Sequence, residues 1–112
     1  MKADIRQEAE ATVVAVTETI DALTAPELTR ALGQQIAEGH CNLVVDLTGV
    51  DFMSSAGLRT LLGGVKETRT HGGDLRIASV NPGIDKVLRM SGFHNIAKVF
   101  PSSAEALASF QA

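Results

Sequence analysis

The clearest hydrophobic pattern of this sequence lies near its middle. Residues 43–45 form a short, continuous apolar run, which predicts a buried strand that ends at Asp46. A segment with apolar residues at helical spacing follows and predicts a helix: Leu58, Leu61, Leu62 and Val65. Ser54 and Ser55 therefore lie where a loop becomes a helix, a position that favours small hydroxyl side chains because they accept hydrogen bonds from free backbone N–H groups.

The N-terminal part of the sequence predicts a β-hairpin followed by a helix. Residues 4–8 and the β-branched run at residues 12–17 are expected to pair as two strands. Thr24 precedes Glu27 by three residues, and this capping-box spacing predicts the start of a helix that Gly39 ends. The apolar face of that helix is expected to consist of Leu28, Ala31, Leu32 and Ile36.

Strand and helix patterns continue to alternate after the central helix. The glycines at residues 72–73 interrupt the helical pattern, and residues 75–80 predict a strand. Asn81 and Pro82 are typical of the start of a helix. The apolar face of this short helix is predicted to contain Ile84, Val87 and Leu88.

The last residues predict one more strand and one more helix. Residues 97–100 are expected to form the strand. Ser102 and Glu105 have the spacing of a second capping box, which predicts a terminal helix with Leu107 and Phe110 inside.

The order of these elements predicts the fold class. From residue 42 onward, strands alternate with helical crossovers, and this order implies parallel strands with helices packed on the sheet. The initial hairpin adds an antiparallel edge. We expect a single α/β domain over residues 1–112, with a small mixed β-sheet and about four helices.

Composition excludes several classes of function. Ten basic residues against thirteen acidic ones, with a net charge of −3, disfavour direct binding of nucleic acid. Cys41 is the only cysteine, and the three histidines stand far apart in sequence, so we predict no metal site. The N-terminus is charged and no apolar run has the length of a membrane span, which predicts a cytoplasmic protein without membrane contact.

Motifs for catalysis or cofactor binding are absent from the sequence. It contains neither a glycine-rich phosphate loop nor the Gly-x-Ser-x-Gly turn of many hydrolases, so we predict no cofactor and no enzymatic activity. Gly63 and Gly64 lie inside the central helix, where two glycines cost roughly 1 to 2 kcal/mol relative to alanine. Close helix packing explains them more simply than a functional hinge does.

Residues 51–59, Asp-Phe-Met-Ser-Ser-Ala-Gly-Leu-Arg, resemble the central motif of the anti-sigma factor antagonists that share the STAS fold. Residues 18–26, 72–75 and 87–92 resemble further parts of that family. The resemblance implies that Ser55, two residues before the motif glycine, is phosphorylated by a partner that is both kinase and anti-sigma factor. Ser54 departs from the family pattern, because many members have aspartate there, so the resemblance leaves Ser54 open as an alternative phosphorylation site.

The resemblance also implies a regulatory cycle. The unphosphorylated protein binds the anti-sigma factor/serine-protein kinase and releases its target, and phosphorylation of Ser55 abolishes binding because the phosphate adds a charge of about −1.5 to −2. A serine phosphatase of the metal-dependent type resets the switch. The expected contact surface comprises Asp21, Thr24, Ser54, Ser55, Ala56, Leu58 and Arg59.

Each contact residue also has a purely structural explanation. Asp21 can close a turn, Thr24 can cap a helix, and Leu58 can belong to the core. Arg59 can be a solvated helix residue, and both serines can serve the helix start alone. Two other functions therefore stay open. One is a constitutive STAS interaction subunit, for example of a lipid-transport ABC system, and the other is a small-ligand-binding domain at the sheet end.

Overall fold

A five-stranded sheet forms the centre of the computed structural model, which describes residues 2–111. The strands are β1 (Ala3–Gln7), β2 (Thr12–Val16), β3 (Asn42–Asp46), β4 (Asp74–Ala78) and β5 (Val99–Phe100), and they lie side by side in this order. β1 pairs with β2 in antiparallel orientation, and the other three pairs are parallel. The predicted mixed α/β sheet with an antiparallel edge hairpin is confirmed.

The described residues form four α-helices and one 3-10 turn at Phe93–Asn95. The α-helices are α1 (Ala25–Ala37), α2 (Ser55–Thr70), α3 (Pro82–Met90) and α4 (Ser103–Ala108). Side-chain oxygens of Ser54, Asn81 and Ser102 accept backbone N–H bonds in the first turns of α2, α3 and α4, as their residue types predict.

The end of α1 shows why a glycine stands at position 39. Gly39 adopts a φ of +92°, in the left-handed region that other residues avoid. Its N–H donates to the carbonyl of Ile36, and the N–H of His40 donates to that of Gln35. This pair of bonds is the Schellman arrangement, so the predicted glycine stop is confirmed.

The sheet separates two hydrophobic cores of unequal size. Successive residues of a strand point to opposite faces, so Val14 and Val45 belong to one core while Val13 and Val44 belong to the other. The larger core is covered by α1, α2 and α3, and the smaller one by α4 through Ala106. Because β2 to β5 are parallel, their C-terminal ends lie at the same rim of the sheet, where the strand-to-helix loops begin.

Several strand bounds differ from the predicted ones. β1 covers Ala3–Gln7 rather than residues 4–8, and β2 ends at Val16 rather than at residue 17. β4 ends at Ala78 rather than at residue 80, because Ser79 has a φ of +64° and leaves the extended conformation. β5 begins at Val99 rather than at residue 97, because the N–H of Ala97 still donates to Phe93 in the preceding turn.

Several side chains are less buried than the helical patterns predicted, among them Ala31 of α1, which is only partly buried and lies outside the larger core. Val87 is 37% exposed, since only Ile84 and Leu88 of α3 reach the core. Leu107 and Phe110 are only partly buried at the edge of the smaller core, because α4 is short and covers little of the sheet.

The two glycines of α2 have different explanations. A Cβ on Gly64 would come within 2.6 Å of Leu75 Cδ1 and within 3.3 Å of Leu32 Cδ1, so close packing of α2 favours a glycine there. A Cβ on Gly63 would meet no atom within 4 Å. The packing explanation is therefore confirmed for Gly64 and wrong for Gly63.

Candidate functional site

Two loops meet at the rim of the sheet where β2 and β3 end. The N–H of Ile20 donates to the carbonyl of Phe52 over 3.1 Å, and the N–H of Ser54 donates to the carbonyl of Ile20 over 2.8 Å. Ile20 and Met53 form an isolated parallel bridge, and both side chains are buried. The loop after β2 and the loop before α2 therefore form one continuous surface.

Ser54 and Ser55 have different roles at the start of α2. Ser54 is the N-cap, and its Oγ accepts the N–H of Ala56 over 3.2 Å. Ser55 is the first residue of the helix and is exposed to solvent. Its hydroxyl makes no hydrogen bond to any residue in the range 2–111 and lies at the surface.

The start of α2 is electrostatically suited to an anion. The N–H groups of Ser55 and Gly57 have no acceptor among the described residues, and the first turn contains no acidic side chain. The positive end of the helix dipole is therefore not neutralised from within the helix. Arg59 stands one turn further along α2 and is exposed, so its guanidinium is within helical reach of position 55.

The loop after β2 is held by a small network around Asp21. Its Oδ1 accepts the N–H groups of Leu23 and Thr24 over 2.9 and 3.1 Å. The hydroxyl of Thr24 donates to the carbonyl of Thr19 over 2.8 Å and accepts the N–H of Asp21 over 2.9 Å. Asp21 thus closes the turn, and the hydrogen bonds fix the path of the backbone through this loop.

The predicted capping box at Thr24 is wrong. Thr24 occupies the N-cap position of α1, but its side chain makes no capping hydrogen bond to the helix. The hydroxyl is already committed to the loop through Thr19 and Asp21, and the backbone of Thr24 is in the helical region with ψ of −23°. The residue therefore holds the loop beside Ser54 rather than the helix start.

Two further predicted contact residues, Ala56 and Arg59, line a groove between α1 and α2. Ala56 and Arg59 of α2 face Ala22 and Pro26 across an opening of about 490 Å³. Leu58 is partly buried against the larger core, so its structural explanation holds for much of its side chain. The structure thus places Ala56 and Arg59 at the groove, Asp21 and Thr24 in the loop that Ile20 bonds to Ser54, and Leu58 against the core.

Gly57 allows the two loops and α2 to approach each other. A Cβ at this position would lie 2.5 Å from Met53 Cγ and 2.7 Å from Ile20 Cγ2, well inside van der Waals contact. The glycine of the central motif therefore has a steric reason that is independent of Ser55.

Two exposed apolar residues of this surface were not among the predicted contact residues. Leu23 is 85% exposed and lies two residues after Asp21, and Phe52 is 57% exposed and lies two residues before Ser54. Large apolar side chains exposed beside a polar site are typical of protein contact surfaces. A sequence signal existed, because both residues interrupt a polar loop and belong to no helical or strand period.

The described part of the chain contains neither a cluster of metal ligands nor a helix that could span a membrane. No group of three His, Cys, Asp or Glu side chains among residues 2–111 is arranged so that it could hold a metal ion. None of the described helices combines the length and the apolar character that crossing a bilayer requires.

Known proteins are similar to this chain in both sequence and structure. The STAS domain family matches residues 2–106 of this chain. BtrV of Bordetella bronchiseptica, which carries the name of an anti-sigma factor antagonist, is 34% identical over 92 residues, covering 82% of this chain and 79% of BtrV. The structure of an anti-sigma factor antagonist from Mycobacterium paratuberculosis is similar with a TM-score of 0.87 and 25% identity, covering 99% of this chain and 94% of the other. The structure of the Bacillus cell fate determinant SpoIIAA in its phosphorylated form is similar with a TM-score of 0.76 and 18% identity, covering 98% of this chain and 100% of SpoIIAA.

Proposed function

The chain belongs to the STAS domain family, and we propose that it is an anti-sigma factor antagonist whose partner binding is controlled by phosphorylation of Ser55. Without phosphate, it binds an anti-sigma factor that is also a serine-protein kinase, and the target held by that partner is released. With phosphate on Ser55, the complex separates. The kinase supplies the ATP and the catalytic groups, so the chain itself catalyses no step.

The observation that carries this proposal is the position of Ser55. Its hydroxyl is exposed on the first residue of α2 and makes no hydrogen bond to the described part of the chain, so a phosphate there disturbs no contact of the fold. Ser54 differs, because its Oγ caps the helix through the N–H of Ala56 and a phosphate would compete with that bond. This difference favours Ser55 over Ser54 as the modified residue.

The folded chain can bear the added charge. A phosphate at Ser55 would meet the free N–H groups and the uncompensated dipole at the start of α2, with Arg59 one turn away. Phosphate groups are favoured at helix N-termini for this reason. SpoIIAA, which shares the fold, exists in a phosphorylated form, and this supports the same expectation for this chain.

A partner surface that receives neutral Ser55 tolerates the phosphate poorly. The modification adds a charge of about −1.5 to −2. Asp21 follows β2 and Asp46 ends β3, so both lie toward the same rim of the sheet. If burial of this unpaired charge costs about 3 kcal/mol, the affinity falls roughly a hundredfold. Binding then depends on the state of one serine.

We propose a contact surface that is wider than the predicted one. It contains the two exposed apolar residues Leu23 and Phe52 as well as the residues that the motif indicated. Apolar side chains next to Ser55 can supply most of the binding energy, while phosphorylation of Ser55 releases the partner. The complete proposed surface is Asp21, Leu23, Thr24, Phe52, Ser54, Ser55, Ala56, Leu58 and Arg59.

The proposed cycle needs a second enzyme besides the kinase. A serine phosphatase of the metal-dependent type would remove the phosphate from Ser55 and restore binding. Kinase, phosphatase and this chain would then act together in the cytoplasm, with no direct contact to nucleic acid or membrane.

Peptide-mapped mass spectrometry tests the proposal. The wild type, Ser55→Ala and Ser54→Ala are incubated with ATP and an extract of the native host, and phosphopeptides are quantified. We expect one phosphate that is lost in Ser55→Ala and retained in Ser54→Ala. Loss of the phosphate in Ser54→Ala alone would assign the phosphorylation site to Ser54.

Partner capture separates the proposal from its alternatives. Absence of phosphate, together with capture of a protein partner that is indifferent to Ser55→Ala, would indicate a constitutive interaction subunit. A thermal shift with nucleotides in the absence of any protein partner would instead indicate a small-ligand-binding domain.

A further inference from the structure

The outer edge of β1 carries unpaired backbone groups. β1 is the first strand of the sheet order and has a neighbour on one side only within the described chain. The N–H of Thr17 donates to the carbonyl of Lys2, and the N–H of Glu8 donates to that of Ala11, so alternate residues from 2 to 8 turn their backbone toward β2. The residues between them turn their N–H and C=O groups outward: Ala3, Ile5 and Gln7.

The exposed face of β1 has a regular order of charges. Lys2, Asp4, Arg6 and Glu8 follow one another at every second position, so their side chains project from the same face with alternating sign. All four are exposed, and Arg6 Nε lies 3.8 Å from Glu8 Oε2 in the same chain. Charged side chains on an edge strand usually prevent pairing with another strand. Their order here makes one particular pairing favourable instead.

We propose that β1 pairs with β1 of a second copy of this chain in antiparallel orientation, with Ile5 opposite Ile5 on the two-fold axis. In this register Lys2 faces Glu8 of the partner copy, and Asp4 faces Arg6. All four cross-strand positions on that face then combine opposite charges. The outward backbone groups of the two edges bond to each other and join two sheets into one.

Other registers of the same two strands bring like charges together. A slide by two residues in one direction places Asp4 opposite Asp4 and Lys2 opposite Arg6. A slide in the other direction places Arg6 opposite Arg6 and Asp4 opposite Glu8. In-register parallel pairing places each charge opposite its own copy. Like charges directly opposite each other are destabilising, so the charge order selects the register centred on Ile5.

The second face of β1 supports the same arrangement. Ile5 is 39% exposed and lies with Ala3 beside a groove of about 320 Å³ that Arg30 and Ala31 of α1 also line. Side chains opposite each other across paired strands are about 4.5 to 5.5 Å apart, so each Ile5 would cover the exposed part of the other. A second copy thus offers both an apolar and a charge-complementary match, and this inference does not depend on the phosphorylation of Ser55.

Sedimentation equilibrium of charge variants tests the proposed dimer. The wild type is expected to rise from 11.8 kDa toward twice that mass between low micromolar and millimolar concentration. Asp4→Arg alone places two guanidinium groups opposite each other, and Arg6→Asp alone does the same with two carboxylates, so each variant should associate at least about tenfold more weakly. An equimolar mixture of the two variants restores every opposite-charge pair and should associate as the wild type does.

The mixture separates a loss of charge complementarity from a folding defect, because mixing two misfolded variants would not restore association. Circular dichroism of each variant reports its fold directly. A wild type that stays at 11.8 kDa at millimolar concentration would overturn the proposal. So would folded variants that associate separately as well as they do when mixed.

Amide hydrogen exchange then identifies the interface. The N–H groups of Ala3, Ile5 and Gln7 are expected to become protected as the wild-type concentration rises, while the helix amides stay unchanged. Protection confined to another element would place the interface elsewhere and contradict the pairing of β1.

Discussion

The backbone N–H of Ser54 lies 2.8 Å from the carbonyl oxygen of Ile20 and donates to it. The two residues are separated by a helix and a strand in sequence, and their bond joins the loop that contains Asp21 to the start of α2. The bond therefore fixes the start of α2 beside the loop that contains Asp21. For the proposed switch, this means that Ser55 and that loop are held next to each other.

The two serines should differ in their effect on stability. Ser54→Ala removes the N-cap bond to Ala56 and is expected to lower the free energy of unfolding by about 1 kcal/mol. Ser55→Ala removes an exposed hydroxyl and is expected to change it by less than about 0.5 kcal/mol. Urea denaturation of both variants measures the difference. Equal losses for the two substitutions would contradict the assignment of Ser54 as the cap.

The exposed apolar residues should contribute to partner binding rather than to stability. Phe52→Ala and Leu23→Ala are expected to weaken binding of the proposed kinase partner by about tenfold or more, since large anchors dominate interfaces. Met90→Ala is the matched control, because Met90 is 78% exposed but lies at the opposite end of α3 from the site. Surface plasmon resonance with the captured partner compares the three variants. Equal effects of all three would argue against a specific role of Phe52 and Leu23.

Two glycines should respond to alanine in opposite directions. Gly63→Ala is expected to raise the free energy of unfolding by about 0.5 to 1 kcal/mol, because a Cβ there meets open space and alanine favours helix. Gly73→Ala is expected to lower it by more than about 2 kcal/mol, because its Cβ would overlap the carbonyl oxygen of Cys41. Chemical denaturation measures both. A destabilised Gly63→Ala would show that the backbone there is strained.

The acid sensitivity of α3 should depend on Asp85. The hydrogen bond from Arg89 Nε, 2.7 Å long, is the largest of the causes that lower the pKa of Asp85 below its ordinary 3.8, and His94 adds to it. Because the pKa of Asp85 is lower in the folded chain than in the unfolded chain, the ionised carboxylate stabilises the folded state. This contribution is complete above pH 3.8 and is lost as the pH falls through the folded pKa.

Asp85→Asn should therefore destabilise the chain only where the carboxylate is ionised. The expected loss at neutral pH is about 0.5 kcal/mol, the size typical of solvent-accessible ion pairs. The difference from the wild type should narrow as the medium is acidified, which thermal unfolding at a series of pH values would follow. A difference that is constant with pH would mean that the substitution acts through packing instead.

Much of the fold and part of the site were predictable from local sequence. Strand and helix periods and the capping residues Ser54, Asn81 and Ser102 act within a few residues, so the order of elements and most helix starts follow from them. The motif at residues 51–59 indicated Ser55 as the modified residue, which stays a prediction. The sequence also contains the alternating charges of β1, which need no tertiary information to recognise.

Other features depend on contacts between distant residues. The hydroxyl of Thr24 bonds to Thr19 and Asp21 within its loop rather than to α1, and Val87 is exposed because only Ile84 and Leu88 of α3 reach the core. Ile20 and Met53 meet because β2 and β3 are parallel neighbours. The sequence by itself determined which elements form, since periodicity and capping are local. Only the tertiary structure decided which loops join and which apolar side chains remain exposed, because those outcomes depend on packing across the whole sheet.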